Sequence, residues 1–281
     1  MIKILITGGS GNIAQMIKRN LSSEYNITNL SKNDLNILNL DDIKKYLDNN
    51  SFDVLVHTAI LGGRRTKDEN GEVTHLNLLM YENLLFFANK FKMIINLDSG
   101  AIYDRKTDIF NRKEDELVTI PVDYYGFSKY LIYKRSLEYN NIINLRIFNI
   151  FHVNEENNRF IKSCFISKKY NTEIQIFDDK YFDFVYEDDF IKIIKYYFDN
   201  INNIPILFKV LNICYNKKYK LSEIVKLIIN DNSKINIIKS ESKNNYSGNG
   251  TYLESLNLEL IGLEESLKKY KIRIDKIDLK V

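Results

Sequence analysis

Residues 2–14 read Ile2-Lys3-Ile4-Leu5-Ile6-Thr7-Gly8-Gly9-Ser10-Gly11-Asn12-Ile13-Ala14, an apolar run that leads into closely spaced glycines. The run is typical of a buried strand, and the apolar residues that recur after it at helical spacing predict a helix over residues 12–22. The Gly8-x-x-Gly11-x-x-Ala14 spacing at their junction is typical of a turn that binds a dinucleotide phosphate. The alternative is an ordinary glycine-rich turn between a strand and a helix.

Each small residue of this turn has a physical role in such a site. Gly8 allows the tight turn, Gly11 lets the backbone approach a pyrophosphate, and Ala14 lets the helix pack closely on the strand. The first amides of the helix, those of Asn12 and Ile13, would face the phosphates at the positive end of the helix dipole. We therefore expect a dinucleotide cofactor, held in part by Gly8, Gly11, Asn12 and Ile13.

Strands and helices alternate from this turn to about residue 150. The predicted strands are almost continuous in apolar residues, and they cover 25–30, 52–57, 93–97 and 142–147, with helices near 41–47, 73–90 and 123–139. This pattern predicts an α/β fold with a buried parallel sheet and right-handed crossovers. We expect a dinucleotide-binding domain over 1–150 and mainly a substrate lobe over 151–281, with 187–213 returning to the sheet. Polar loops are predicted over 104–121 and 240–252.

Charge and composition narrow the classes of protein. The 281-residue chain has 40 Lys and Arg against 37 Asp and Glu, a near balance that does not indicate nucleic-acid binding. Neither a signal peptide nor a run of about 18 apolar residues is evident, so we expect a cytoplasmic protein that does not span a membrane. Cys164 and Cys214 belong to no CxxC pair or histidine cluster, which fits a reducing compartment and predicts no metal site.

The segment Asn29-Leu30-Ser31-Lys32 ends the second predicted strand and bears on the choice of cofactor. A carboxylate at this place typically binds the ribose hydroxyl of NAD, and these four residues contain none. Ser31 and Lys32 can instead meet the 2′-phosphate of NADP, so we favour NADP(H) over NAD(H). A solvated Lys32 with no part in binding is the alternative.

Tyr125 and Lys129 lie four residues apart on a predicted helix and therefore share one face. A tyrosine with its usual pKa of about 10 is a poor acid at neutral pH, but a neighbouring ammonium and the oxidised ring of a cofactor would lower that pKa. Such a tyrosine can protonate a carbonyl oxygen as hydride arrives. Ser99 follows the fourth predicted strand, where its hydroxyl can bond the same oxygen. The three residues predict hydride transfer at a carbon–oxygen bond.

With these motifs the chain resembles the extended short-chain dehydrogenase/reductase family, the NAD-dependent epimerases and dehydratases that act on nucleotide sugars. The resemblance covers nearly the whole length, through the glycine turn and residues 34–39, 53–59, 99–103, 125–129, 146–149, 183–189 and 211–213. It implies a Rossmann-type doubly wound parallel sheet with a small C-terminal substrate-binding lobe. It also implies a nucleotide-sugar substrate, a homodimer through helices near 73–90 and 123–139, and cofactor contacts from Asn36, Thr58 and Ala59.

Within the family, the short length and the Leu61-Gly62-Gly63 loop are most similar to GDP-fucose synthases and nucleotide-4-keto-6-deoxysugar reductases. The 4,6-dehydratases carry Asp-Glu after the serine, where this chain has Gly100 and Ala101. GDP-fucose synthases epimerise with a cysteine, here Ala101, and a histidine, which aligns near Arg159. Simple ketone reduction is therefore the favoured reaction. His152 is a candidate to replace that histidine, and a structural role is its alternative.

Substrate binding shows one further departure from the family pattern. Many relatives have an arginine before the Asp-Phe-Ile/Val-Tyr segment, facing the substrate pyrophosphate, and this chain has Phe182 there. We expect Arg159, Lys180 or the pair Arg64-Arg65 to supply the charge, although each can equally be a solvated surface residue. The other expected substrate contacts are Ser99, Tyr125 and Asn149.

Three hypotheses follow from the sequence. The first is an NADPH-dependent 4-ketoreductase of a nucleotide-linked deoxysugar, in which Tyr125 donates the proton, Ser99 binds the developing oxyanion, and Lys129 binds the ribose and lowers the tyrosine pKa. The second is an epimerase of the same fold that retains NAD. The third is a catalytically silent NADP-binding regulatory subunit, which the intact set of serine, tyrosine and lysine disfavours.

Overall fold

The computed structural model describes residues 1–63, 68–229, 234–238 and 244–277, with 204–206 as backbone only. Strands and helices alternate in the first half: β1 (Lys3–Thr7), α1 (Asn12–Leu21), β2 (Asn26–Leu30), α2 (Leu40–Asn49), β3 (Val54–His57), α3 (Gly71–Leu85), β4 (Met93–Ser99), β5 (Ile109–Arg112), α4 (Tyr124–Ser136) and β6 (Ile142–Ile147). The second half contains β7 (Ile150–Phe151), α5 (Phe160–Tyr170), β8 (Ile174–Phe177), β9 (Val185–Tyr186), α6 (Glu187–Asp199), β10 (Val210–Ile213), α7 (Leu221–Ile228), β11 (Ile235–Ile238), β12 (Tyr246–Gly248), α8 (Thr251–Ser255) and α9 (Gly262–Ile274).

Six parallel strands form the central sheet in the order β10-β6-β4-β3-β1-β2. Alternate residues of each strand face opposite sides of the sheet. Ile4 and Ile6 therefore lie in one apolar cluster with residues of α1 and α6, while Leu5 lies in another with residues of α2, α3 and α4. The expected α/β class, a doubly wound Rossmann-type sheet, is confirmed.

The second half of the chain adds one strand and one helix to the sheet and forms a separate apolar cluster. β10 pairs with β6 at one edge of the sheet, and α6 lies on the same face as α1. A separate apolar cluster contains residues of α5, α7 and α9, next to the small parallel pair β8 and β11. The polypeptide after residue 150 thus contributes both an edge strand of the sheet and a second apolar core.

The carboxyl ends of the parallel strands meet at one edge of the sheet, which is where ligands bind in open α/β sheets. The glycine turn follows β1, Thr58 follows β3, Ser99 ends β4, and Asn149 lies just after β6. Tertiary structure therefore gathers at one edge residues that are up to about 140 positions apart in the sequence.

The predicted polar loops contain regular structure. β5 lies inside 104–121 and pairs with β12, which lies inside 240–252; α8 begins at the end of this second range. Of β5 only Ile109 is buried, so the strand has no apolar alternation that the sequence could reveal. Its partner is more than 130 residues away, and such pairing is decided by tertiary contacts.

No helix in the described ranges is both long and apolar enough to cross a membrane.

Candidate active site

The glycine turn leaves no room for larger residues. Gly8 has a φ of +70°, and a Cβ there would lie 2.7 Å from the backbone nitrogen of Ala59. A Cβ on Gly9 would lie 2.7 Å from the nitrogen of Leu30. The Thr58 hydroxyl donates a hydrogen bond to the Thr7 carbonyl at 2.7 Å, which ties the end of β3 to the turn. The structure thus brings Gly8, Thr58 and Ala59 together.

The start of α1 is suited to a phosphate. The helices α2, α3 and α4 begin with side-chain caps from Asn39, Asn70 and Asp123, whereas the residue before α1 is Gly11, which has no side chain to cap the helix. Because the first amides of a helix have no partner inside it, the start of α1 at Asn12 and Ile13 presents donors to an anion. The turn and the uncapped helix therefore fit the pyrophosphate of NAD(P).

Gly8→Ala should weaken binding of NAD(P) about tenfold or more, since the positive φ alone costs roughly 1–2 kcal/mol and the added methyl would press on Ala59. The measurement is the rise in melting temperature that the cofactor produces. Gly262→Ala is the matched control, because Gly262 has a φ of +75° but a Cβ there would have no atom of the described residues within 4 Å. Equal cofactor affinity in the two variants would contradict the close fit at Gly8.

A carboxylate does lie at the end of β2, although residues 29–32 contain none. Asp34 accepts hydrogen bonds from the Ser31 amide at 2.9 Å and from the Ser31 hydroxyl at 2.7 Å. These bonds lower the pKa of Asp34. Exposed Lys32 and Asn36 line an open surface depression with Asp34. The end of β2 thus presents both the cation of Lys32, which suits the 2′-phosphate of NADP, and the carboxylate of Asp34, which suits the ribose of NAD, and the preference for NADP(H) stays a prediction.

Ser99 and Tyr125 meet at the carboxyl edge of the sheet. Ser99 ends β4, and its hydroxyl accepts a hydrogen bond from the Ala101 amide at 3.2 Å. Tyr125 lies in the first turn of α4, whose first residues follow the Asp123 cap. The Ser99 side chain lies near the Tyr125 phenol, and its hydrogen-bonding capacity lowers the pKa of that phenol. The two hydroxyls are thus close enough to contact one substrate oxygen.

The electrostatic setting of Tyr125 is dominated by its burial. Burial raises the pKa of Tyr125 well above its usual value, and the Ser99 hydroxyl and the Arg105 charge oppose this effect. The buried Lys129 ammonium lies 6.0 Å from the centre of the Tyr125 ring and donates a hydrogen bond to the Leu97 carbonyl at 2.5 Å. Burial lowers the pKa of Lys129 to about 8. In this structure burial has the largest effect on the Tyr125 pKa, and the lowering of that pKa by Lys129 together with an oxidised cofactor ring stays a prediction.

The loop after β3 holds the tyrosine from its backbone side. The Glu69 carboxylate accepts hydrogen bonds from the Gly63 amide at 2.6 Å and from the Tyr125 amide at 3.2 Å. A Cβ on Gly63, whose φ is +81°, would lie 3.0 Å from the Tyr125 ring. The sequence analysis singled out the paired glycines Gly62 and Gly63 of this arrangement, but it did not identify Glu69. Gly63 and Glu69 thus lie against the ring and the backbone amide of Tyr125, respectively.

The space beside Ser99 is filled by aromatic side chains. A Cβ on Gly100 would lie 2.6 Å from the Phe148 ring and 3.0 Å from the Tyr246 hydroxyl. On its other side, the Phe148 ring would be 2.5 Å from a Cβ on Gly248. Ala101 is fully buried. A carboxylate at position 100, such as the dehydratases carry, does not fit this arrangement.

The expected substrate contacts divide into two groups. Asn149 accepts a hydrogen bond from the half-exposed Arg159 at 2.9 Å, so the structure brings these two together just beyond β6. The Lys180 carbonyl accepts a hydrogen bond from Leu221 at the start of α7, and no contact joins Lys180 to Asn149 or Arg159 among the hydrogen bonds of the described residues. Phe182 packs 5.0 Å from the Phe184 ring and 5.1 Å from the Tyr246 ring. The alternative pair Arg64-Arg65 lies outside the described residues.

His152 has a buried setting in the second half of the chain. Burial, with the charges of Arg19, Lys162 and Arg159, lowers the pKa of His152 to about 4. Its carbonyl accepts a hydrogen bond from the amide of Glu155, a buried acid whose pKa burial raises to about 8. At neutral pH the imidazole is therefore neutral. This setting fits a structural histidine, and a catalytic role for it stays a prediction.

The sheet, the glycine turn and the Ser99–Tyr125 pair define an enzyme of the NAD(P)-binding Rossmann class. A model of the NAD dependent epimerase/dehydratase family matches residues 4–214, and the chain belongs to this family. No curated protein matches the chain in sequence.

Solved structures with different activities share the fold. A dTDP-glucose 4,6-dehydratase from Bacillus anthracis, in complex with NAD, is 17% identical with a TM-score of 0.78, covering 98% of this chain and 97% of that one. An ADP-L-glycero-D-manno-heptose-6-epimerase from Helicobacter pylori is 22% identical with a TM-score of 0.79 and the same coverage. A GDP-mannoheptose C4 reductase from Campylobacter jejuni, with NADP bound, is 18% identical with a TM-score of 0.77, covering 98% of both chains. At these identities the likeness concerns the fold.

Proposed function

We propose that the protein is a cytoplasmic NADPH-dependent reductase that acts on the ketone of a nucleotide-linked 4-keto-6-deoxysugar, without epimerising the neighbouring carbons. The observation that carries this proposal is the filled space beside Ser99, where Phe148 and Tyr246 lie against Gly100. Elimination of water and epimerisation beside a ketone both need additional acids or bases. The two residues after Ser99, Gly100 and Ala101, supply no such acid or base. The alcohol formed by ketone reduction would be used in deoxysugar or polysaccharide biosynthesis.

The chain's own groups suit ketone reduction. A bound reduced nicotinamide would supply the hydride. The raised pKa of Tyr125 keeps its phenol protonated at neutral pH, so the proton is available when the ketone oxygen becomes negative. Ser99 can donate a hydrogen bond to that oxygen and orient it. Lys129, buried beside the tyrosine, would bind the ribose.

Two further features support a nucleotide-sugar substrate and a homodimer. The Asn149–Arg159 pair supplies an amide and a guanidinium just beyond β6, which suits a pyrophosphate. The helices α3 and α4 pack side by side, and exposed Phe86 and Leu137 follow their ends. We propose that this face joins two copies of the chain, which sedimentation of the purified protein tests.

The experiment that tests the reductase is a panel of nucleotide-linked 4-keto-6-deoxysugars, each offered with NADPH and with NADH. We expect loss of absorbance from the reduced cofactor with at least one member, faster with NADPH, and a product alcohol with unchanged neighbouring centres. Turnover of no keto sugar with either cofactor, or epimerised product, would reject the proposal.

One observation favours a second candidate, an epimerase that retains NAD. The Asp34 carboxylate, held at the end of β2 by Ser31, is suited to a ribose hydroxyl and repels a 2′-phosphate. Such an enzyme needs only the Ser99–Tyr125 pair and a cofactor that returns its hydride. Purified protein that carries NAD(H) and interconverts sugar nucleotides without added reductant would select this candidate.

A further inference from the structure

Arg105 lies against the ring of the catalytic tyrosine. Its guanidinium carbon is 5.6 Å from the centre of the Tyr125 ring, within the range of a cation–π contact. Arg105 Nη2 donates a hydrogen bond to Asp123 Oδ1 at 2.5 Å, and the two side chains are only 22% and 24% exposed. The guanidinium is therefore held in place beside Tyr125 by a second ionic partner.

The backbone turns sharply to place Arg105 there. Residues Gly100–Tyr103 form a short 3₁₀ helix after Ser99, and Asp104 follows with a φ of +68°, a left-handed conformation that is rare outside glycine. Its carboxylate accepts a hydrogen bond from the Lys106 amide at 3.1 Å, and its carbonyl accepts one from Thr107 at 2.9 Å. This local turn directs Arg105 back over α4.

One carboxylate connects the turn to the catalytic helix. Asp123 Oδ1 accepts the hydrogen bond from the Gly126 amide at 2.8 Å that caps α4, and the same carboxylate accepts from Arg105. The position of the guanidinium is thus coupled to the first turn of α4, which carries Tyr125.

Several charged or titratable groups face Tyr125 from the surrounding elements. Asp98 on β4 and Tyr246 on β12 favour the neutral phenol, whereas Arg105 favours the ionised one. Lys129 on α4 is directed to the Leu97 carbonyl, and Glu69 bonds the tyrosine amide. Ser99 and Arg105 both oppose the effect of burial on the Tyr125 pKa. Ser99 acts as a neutral hydrogen-bonding group, whereas Arg105 acts through its positive charge.

We propose that Arg105 is a positioning residue of the active site: held by Asp123, its guanidinium stabilises the developing phenolate of Tyr125 and so sets the acidity of the proton donor. The inference rests on the proposed function only in that Tyr125 is that donor. Only the difference between the attraction of the guanidinium to the phenolate and its attraction to the neutral ring shifts the Tyr125 pKa, and we expect this difference to amount to about 0.5–1 pH unit.

The test places 3,5-difluorotyrosine at position 125 alone, by nonsense suppression, and follows its fluorine NMR signal against pH. Ring fluorines make the phenol more acidic, which brings its titration into an accessible range. We expect Arg105→Gln to raise the midpoint by about 0.5–1 pH unit and Arg105→Lys to restore most of the difference. Arg112→Gln, on β5 of the same segment, is the matched control and should leave the midpoint unchanged.

Arg105→Gln should fold, because Arg105 is partly exposed and Asp123 keeps its bond to Gly126. An unchanged midpoint in Arg105→Gln, or an equal shift in Arg105→Lys, would overturn the proposal, since neither is compatible with a charge effect. The titration needs no substrate. Failure to reduce any keto sugar would therefore reject the proposed function alone, and an unaltered titration would reject the role of Arg105 alone.

Discussion

Tyr125→Phe should lower the turnover number for ketone reduction about 10²–10⁴-fold, the usual contribution of a general acid, while NADPH affinity stays nearly unchanged. The substitution removes only the hydroxyl. The phenylalanine ring keeps its contacts with Gly63 and Arg105, so the fold and the cofactor site remain intact. The measurements are initial rates at saturating keto sugar and a fluorescence titration with NADPH.

Tyr124→Phe is the matched control for this prediction. Tyr124 is the neighbouring residue on α4, its side chain is 45% exposed, and it lies outside the Ser99–Tyr125 pair. Its loss should change the rate less than twofold, an effect of about 0.4 kcal/mol. If the Tyr125→Phe protein keeps more than a tenth of the wild-type rate, another group donates the proton and the assignment fails.

Local sequence patterns predicted the parallel sheet and the glycine turn. The apolar runs predicted the strands of the parallel sheet up to β6, because a strand buried on both faces must be apolar along its length. The glycine spacing predicted the turn at Gly8, since only glycine fits a positive φ with Ala59 so close. In both cases the signal lies in a short stretch of sequence or repeats with a regular period, even though the contacts that it reflects can be distant along the chain.

The features that the sequence did not reveal depend on tertiary structure. Asp34 is two residues beyond the segment that ends β2, and only the turn returns its carboxylate to Ser31. Arg105 follows the unusual backbone at Asp104 and lies over the Tyr125 ring, an arrangement that no periodic pattern encodes. The sign of the Tyr125 pKa shift follows from burial, and burial is known only once the surrounding elements are packed.

The second half of the chain takes part in defining the chemistry at Ser99. β12 pairs with β5, and this pairing brings Tyr246 and Gly248 against the Phe148 ring. The same ring occupies the volume that a side chain at position 100 would need. The side chain allowed at position 100, where dehydratases carry an acid, is therefore limited by residues 246–248, almost 150 positions later in the chain.

A buried ion pair beneath this site should have the largest effect on stability. Asp98 and Arg146 face each other in register on β4 and β6, joined at 2.8 Å with both side chains fully buried. The Arg146 guanidinium also donates hydrogen bonds to the Tyr103 hydroxyl and the Glu114 carbonyl, at 2.5 Å and 3.0 Å. The pair thus connects the strand that ends at Ser99 to the segment after it.

Asp98→Leu should lower the free energy of unfolding by about 3–5 kcal/mol, because it leaves the Arg146 charge buried without its partner. The measurement is urea unfolding followed by circular dichroism. The double variant Asp98→Leu/Arg146→Met should recover at least half of the loss, since it buries no unpaired charge.

Glu82→Gln, which breaks the partly exposed pair with Arg135, is the control and should cost less than about 1 kcal/mol. A cost below about 1 kcal/mol for Asp98→Leu, or a double variant less stable than the single one, would contradict this prediction. Either result would mean that the ion pair contributes little and that the hydrogen bonds of Arg146 to Tyr103 and Glu114 stabilise this region instead.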